Sequence, residues 1–312
     1  MPDRPPLQTI AITGATGMIG RALMGLLKAQ GCTAIPISRG VVEGGIRWDP
    51  ARGVLDPRAL EGVEAVVHLA GENIAGARWT KARKRELRDS RIAPTRLLAK
   101  TLGGLSQPPR VLVSASAVGI YGDRGEEQLD ETSALGTDFL GTLAREWEEA
   151  ADPARAAGIR VVHPRFGVVL SSTGGALARL LPPFRLGLGG PVGSGRQWLA
   201  WIAIADAVGV IEHLLARNEL SGPVNAVAPE QVTNAQFGKA LGTVLHRPAI
   251  VPLPALVLKL AFGEMAEATL LASQRVIPGV LQSSGYGYRY PVLDSALRAV
   301  VDGAETPSSE HQ

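Results

Sequence analysis

One stretch restricts the fold more than any other. The apolar run LQTIAIT (7–13) passes directly into TGATGMIG (13–20), and that into RALMGLLKAQG (21–31). A continuous apolar run of this kind reads as a strand buried on both faces. The segment after it spaces its apolar residues as a helix does and stops at Gly31. Between the two, Gly14 permits a tight turn, Gly17 allows a backbone to approach a pyrophosphate, and Gly20 allows the helix to pack close to the sheet. The first turn of the helix offers free N–H groups and the positive end of its dipole to phosphate. CTAIPIS (32–38) follows as a second strand and completes a βαβ unit. The expected ligand is a dinucleotide, contacted by Thr13, Gly14, Thr16, Gly17, Met18, Ile19 and Gly20. The plain alternative is a glycine-rich turn that holds nothing.

The end of the second strand discriminates between cofactors. An NAD site places Asp or Glu there to accept from the ribose hydroxyls. This chain has Ser38 and Arg39 and no acid. A hydroxyl and a guanidinium would bind a 2′-phosphate that a carboxylate would repel. NADP(H) is therefore the expected cofactor; the alternative is an arginine solvated in a loop.

Beyond this unit the pattern continues to alternate. GIRWD (45–49), EAVVHLAG (64–71), RVLVSAS (110–116) and IRVVHPRFGVVL (159–170) read as strands. A short helix at DPRALEGVE (56–64), a long one from about Lys81 to Leu102 and one over 138–157 read as the connections. The alternation predicts an α/β fold, a Rossmann-type doubly wound parallel sheet. After about residue 171 the texture loosens, with GlyGly and ProPro pairs. The expected division is a nucleotide-binding domain over 7–171, completed by 199–222, and a smaller C-terminal lobe of 172–198 and 223–300. A disordered tail is expected over 301–312.

Composition bounds the partners. The chain has 312 residues, 46% of them apolar and 20% charged, with a net charge of +3. This suits a large globular core and gives no support to a nucleic-acid binder. The run RWTKARKR (78–85) is the dense basic cluster and reads mainly as a solvated helix face, in the minority case as facing phosphate. The apolar stretch 251–262 contains Pro252, Pro254 and Lys259 and is too short to span a bilayer. The single cysteine, Cys32, suits a reducing compartment, and MPDRPPLQ lacks the apolar core of a signal peptide. The expectation is a cytoplasmic protein engaging a small molecule, with no nucleic acid, membrane or metal. Homodimerisation is compatible with the pattern but not required by it.

Several longer strings narrow the reading: HLAGENI (68–74), SRI (90–92), SASAVGIYGDRG (114–125), LPPFRLGLGGPVGSGRQW (181–198) and LLASQRVIPG (270–279). With TGxxGxxG they resemble the extended short-chain dehydrogenases/reductases, in particular the NADP-binding "epimerase family" branch with its own small C-terminal domain. The resemblance spans about residues 9–298. It implies adenosine-phosphate contacts at Ser38 and Arg39, and backbone facing the cofactor ribose at Leu69 and Ala70, with Gly71 after them. It also implies polar positions turned toward the cofactor at Glu86 and Arg91, and backbone receiving the nicotinamide at Val168.

Chemistry is where this chain departs from the larger family. The Tyr-x-x-x-Lys pair, in which lysine tunes tyrosine for proton exchange, aligns with Phe139 and Leu143. The remaining catalytic candidates are Ser116, at the position resembling the family serine, and Tyr121 in a Gly–Ile–Tyr–Gly turn. Without a lysine, Tyr121 keeps a pKa near ~10 and is a poor base at neutral pH. Each has two readings: proton transfer or a packed turn for Tyr121, and a substrate bond or a loop-stabilising hydroxyl for Ser116. WIAIAD (201–206) has Ala203 where the family resemblance leads one to expect histidine, and keeps Asp206. His68, His163 and His213 read as structural. Arg196, Gln197 and Trp198 are candidates to line the cleft between lobes.

Two functions follow: an NADP(H)-dependent oxidoreductase or epimerase for a small molecule, or a non-catalytic NADP(H)-binding sensor or scaffold. A third, nucleic-acid or membrane association through 78–85, has the least support and predicts salt-sensitive binding to DNA or anionic lipid.

Overall fold

The computed structural model describes residues 7–303. The central sheet contains β1 (Thr9–Thr13), β2 (Thr33–Ser38), β3 (Ile46–Asp49), β4 (Val54–Leu55), β5 (Ala65–His68), β6 (Val111–Ser114), β7 (Arg160–Phe166) and β8 (Gly222–Ala226). Their order is β8-β7-β6-β5-β1-β2-β3-β4, and Ser116–Ala117 adds a short pairing to β7. Neighbours are parallel except at the β3–β4 edge. The chain runs outward from β1 through β2 and β3, then restarts on the other side with β5. The switch point therefore lies between the carboxyl ends of β1 and β5, where open α/β sheets form their binding crevice.

The helices of six or more residues are α1 (Met18–Ala29), α2 (Lys81–Gly103), α3 (Phe139–Glu149), α4 (Gly175–Arg185), α5 (Ile204–Ala216), α6 (Asn234–Val244), α7 (Ala255–Phe262), α8 (Glu264–Thr269) and α9 (Leu293–Val301). Period-two alternation distributes the strand side chains between two cores. Ile10 and Ile12 pack with Leu23 and Leu27 of α1 and with Val208 and Ile211 of α5. Ala11, Val66 and Leu112 face the opposite side, with Leu98 and Leu102 of α2. Both faces are covered, which is why these strands are apolar throughout. A third core joins the C-terminal lobe to the rest: Leu177, Leu181 and Phe184 of α4, Phe237 and Leu241 of α6, and Leu293 and Leu297 of α9, together with Leu170 and Trp201.

The sequence-based boundaries need adjustment in places. Residues 223–226, assigned to the lobe, form the edge strand β8 of the main sheet. The single strand read over 159–170 breaks at Gly167; Val168–Leu170 leaves the sheet to pair with Trp201–Ala203. The helix read over 138–157 is two helices, α3 and a short Asp152–Ala156 turn with Pro153 in its first turn. Pro57–Leu60 is a 3-10 turn, capped by Asp56 through the Arg58 N–H. Val301 still belongs to α9, and the expected tail from 304 onward lies outside the described residues.

Candidate functional site

The glycine loop occupies the switch point. Gly14 has φ +68°, and a Cβ there would lie 2.8 Å from the Leu69 carbonyl carbon. A Cβ on Gly20 would lie 2.2 Å from the Gly14 carbonyl oxygen. Neither position accepts a side chain without moving backbone, so the turn and the close seat of α1 are both glycine-dependent. The Gly17 N–H donates to the Gly14 carbonyl at 2.9 Å, and the Arg21 guanidinium donates to the Thr16 carbonyl at 2.6 Å. α1 begins after Gly17 with no side-chain cap, so the Met18, Ile19 and Gly20 amides stand in the uncapped first turn. Thr16 and Gly17 are exposed at the tip.

Thr13, beneath the loop, has a different task from ligand contact. Its buried hydroxyl accepts from the Leu69 and Ala70 N–H groups at 3.1 and 3.3 Å. Its proton therefore goes to His68 Nδ1, 2.7 Å away. His68 then carries its proton on Nε2 and donates to Thr95 at 2.8 Å. Thr95 donates to the Arg91 carbonyl at 2.6 Å and accepts from the Trp147 indole N–H at 3.0 Å. Every donor in this chain has an acceptor only if His68 is neutral. Burial holds its pKa down to about 4. The network joins β1, β5, α2 and α3 and fixes the Leu69–Ala70 backbone beside the glycine loop.

The other cofactor candidates are placed unevenly. Ser38 ends β2, its hydroxyl accepting from the Gly40 N–H at 3.0 Å, and Arg39 next to it is exposed. Gly71 is exposed, and Arg91 lies directly beneath it: a Cβ on Gly71 would sit 3.3 Å from the guanidinium carbon. Arg91 itself is buried, donating to the Glu72 and Leu87 carbonyls and stacking 5.0 Å from Trp147. Burial lowers its pKa to about 10, with Glu72 opposing. It braces the Gly71–Glu72 backbone beside the glycine loop. Glu86 is exposed and paired with Arg83 at 2.7 Å on the same helix. Val168 begins the short strand that leaves the sheet after Gly167, and its N–H donates to the Ala200 carbonyl at 2.8 Å.

Both catalytic candidates are sequestered. Tyr121 has no exposed surface. Its hydroxyl donates to Asn225 Oδ1 at 2.7 Å and accepts from Arg165 at 2.9 Å. Burial raises its pKa, with Arg165 opposing. This removes the proton-transfer role, because no substrate reaches the phenol. Ser116 is also buried, and it donates to Glu148 at 2.7 Å. Glu148 in turn holds Arg165 through two bonds of 2.8 and 2.9 Å. Burial pushes Glu148 up, but the Arg165 bonds and charge outweigh it and keep the carboxyl below the usual range. Ser116 therefore has only lone pairs to offer and does not donate to a carbonyl while this bond stands.

The positions of the family tyrosine and lysine are filled with apolar side chains. Phe139 meets Trp79 edge-on at 5.1 Å. Leu143 is buried with Trp79, Leu87 and Met265, the last contributed by α8 of the C-terminal lobe. Of the cleft candidates, Gln197 is buried and donates to the Val192 and Leu270 carbonyls. Trp198 is clasped between Glu126 and the Arg275 guanidinium. Arg196 is exposed. Ala203 is buried in the lobe core, and Asp206 accepts the Arg289 and Tyr290 amides at 2.7 and 2.9 Å.

Residues 10–227 match the NAD dependent epimerase/dehydratase family, and residues 253–300 match a domain of unknown function, DUF1731. The chain belongs to this epimerase family. A Mycobacterium tuberculosis epimerase family protein is 43% identical over 290 residues, covering 92% of this chain and 96% of that protein. Human epimerase family protein SDR39U1 is 41% identical over 297 residues, covering 94% and 99%. The crystal structure of human SDR39U1 (isoform 2) with NADPH superposes with a TM-score of 0.87 at 39% identity, covering 95% of this chain and 99% of that one. A Corynebacterium glutamicum nucleoside-diphosphate sugar epimerase gives a TM-score of 0.79 at 37% identity, covering 97% of this chain and 59% of that one.

Reading the sequence alone missed the Glu148–Arg165–Tyr121–Asn225 cluster. Signals for it existed. Arg165 lies in a buried stretch of its strand, and Glu148 shares the buried side of α3 with Ala144 and Trp147. A charge in such a position needs a buried partner.

Proposed function

We propose that this protein binds NADP(H) and acts as an NADP(H)-dependent oxidoreductase on a small molecule. The observation that carries the reading is the glycine cradle, in which a Cβ at Gly14 or Gly20 would meet backbone at 2.8 or 2.2 Å. The packing that demands these glycines seats the loop against the uncapped start of α1, and the free N–H groups of that first turn fit a pyrophosphate. The uncapped first turn over Met18–Gly20 would hold the pyrophosphate, and Ser38 and Arg39 would hold the 2′-phosphate. The chemistry such a cofactor supplies is hydride donation or acceptance. The NADPH in the human SDR39U1 crystal structure supports the choice of cofactor.

Epimerisation in the usual manner of the wider family is not part of the proposal. It needs a side chain that takes and returns a proton, and Phe139 and Leu143 do neither. Any proton must come from water or from the substrate. The same sealed cluster favours a second reading, in which the cofactor is held but not turned over and the protein reports on its redox state.

The test is a fluorescence titration of the purified protein with NADPH and NADH, alongside Arg39→Ala, followed by NADPH consumption with a panel of carbonyl compounds. NADPH is expected to bind more tightly, and Arg39→Ala to erase the preference by roughly tenfold, the value of one charge-assisted phosphate contact. Binding with consumption supports the oxidoreductase. Binding without consumption across the panel supports the sensor. Binding of neither nucleotide overturns both.

A further inference from the structure

The basic run 78–85 and the apolar stretch 251–262 meet in the fold. The Arg78 guanidinium donates to the Leu260 carbonyl at 3.3 Å and lies against Gly263. Lys84 pairs with Glu264 of α8. α7 buries only Leu258, leaving Leu256 and Leu260 each more than two-thirds exposed. A second segment with exposed apolar side chains adjoins it through the chain leading into α7. Residues 186–193 run beside 247–255, joined by bonds from the Val251 N–H to Gly189, the Leu253 N–H to Pro191 and the Gly193 N–H to Leu253, each 2.9 Å. That ribbon presents Leu186, Leu188 and Ile250 to solvent.

The acids beside the apolar stretch are both paired. The only acids of residues 250–272 are Glu264 and Glu267, and each is neutralised, by Lys84 and by Lys259. At the ribbon end, Arg247 donates to the Arg185 carbonyl, and with Lys239 and His246 it lines an open cavity of about 510 Å³ that reaches Ile250. Arg185, Lys239 and Arg247 have no carboxylate partner among the described residues. At the other end stands Arg78. An aliphatic band fringed by unpaired cations is complementary to an anionic phospholipid surface: apolar side chains enter the headgroup–acyl boundary while the cations meet phosphates. Among the described residues no helix is long and apolar enough to cross a membrane, so the association is peripheral.

We propose that the face formed by 186–188, 250–262 and Arg78 docks this protein onto anionic membrane. The expectation of no membrane partner rested on the length of 251–262, which excludes spanning but not lying on the surface.

The experiment is co-sedimentation of the full-length protein with vesicles of phosphatidylcholine alone and of phosphatidylcholine with phosphatidylglycerol, at low and high salt. Binding is expected only with phosphatidylglycerol, and weaker at high salt. Leu256→Ser with Leu260→Ser should abolish it. Arg185→Ala and Arg247→Ala should each weaken it about fivefold, the worth of one basic residue near such a surface. The four side chains are exposed and outside the nucleotide site, so NADPH affinity of the variants serves as the folding control. No binding to phosphatidylglycerol vesicles at low salt overturns the proposal. Equal binding to both vesicle types overturns the role of the cations. Failure to bind vesicles together with a concentration-dependent dimer, broken by the leucine substitutions in sedimentation analysis, identifies the face as an interface between copies instead.

Discussion

The hydroxyl of Tyr121 lies between the Arg165 guanidinium and the Asn225 side chain, and the Asn225 amide donates onward to the Ile277 carbonyl at 2.9 Å. One phenol therefore connects β7, β8 and the C-terminal segment. Tyr121→Phe removes the acceptor of a buried guanidinium and the donor to a buried amide. The expected cost is about 2 kcal/mol, because each group loses a partner that water cannot replace. The melting midpoint should fall by about 5 °C. NADPH affinity, by contrast, should change by less than about threefold, since no atom of the network belongs to the glycine cradle. A large loss of affinity with an unchanged midpoint would restore Tyr121 to the site. From sequence, the loop position of Tyr121 was plain; its inward orientation was not, because the partners that hold it lie 44 and 104 residues away.

At the scale of elements, β1, β5 and α2 act together through His68. Its neutral form is required by the direction of every hydrogen bond from Thr13 to the Arg91 carbonyl. In the unfolded chain the same imidazole has a pKa near 6.5, against about 4 in the fold. Below pH 6.5 the unfolded chain thus takes up a proton that the folded chain refuses. Stability from this group is complete above 6.5 and declines as pH falls toward 4, by about 3 kcal/mol in all. Denaturant titrations at pH 7, 5.5 and 4.5 measure it, with His68→Gln as the control expected to flatten the part of the slope due to this residue. An unchanged slope in that variant would mean the imidazole is not titrating as described. The elements were largely legible beforehand, because strands covered on both faces are uniformly apolar and Gly14, Gly17 and Gly20 stand where a strand meets a helix. The break at Gly167 was not legible, because apolar residues continue through it. The break after Glu149 had a signal in Pro153, which starts a new helix more readily than it continues an old one, and the reading of one helix over 138–157 passed over it.

At the scale of the whole molecule, the lobe and the Rossmann sheet share a core. Met265 of α8 packs with Trp79, Leu87 and Leu143, and the Lys84–Glu264 pair lies beside it, with the Lys84 ammonium 4.8 Å from the Phe139 ring centre. Asp206 ties the start of α5 to residues 289 and 290 from within the fold. The family resemblance announced a second lobe but not this joint, since nothing local to residues 264–269 indicates what they cover.

That joint restricts what positions 139 and 143 can hold. Phe139 and Leu143 are not vacancies awaiting a tyrosine and a lysine; they are the floor against which α8 of the C-terminal lobe packs. Placing that polar pair there, Phe139→Tyr with Leu143→Lys, would put an ammonium among Trp79, Leu87 and Met265 at a cost of several kcal/mol. The expected product is a less stable protein with a lower melting midpoint and no gain in NADPH turnover. A stable double variant with new reductase activity would show that the lobe can step aside. Otherwise the two positions are locked from both sides: with the neighbouring lobe closed over them, fitting a proton-transferring pair there needs both lobes to change together.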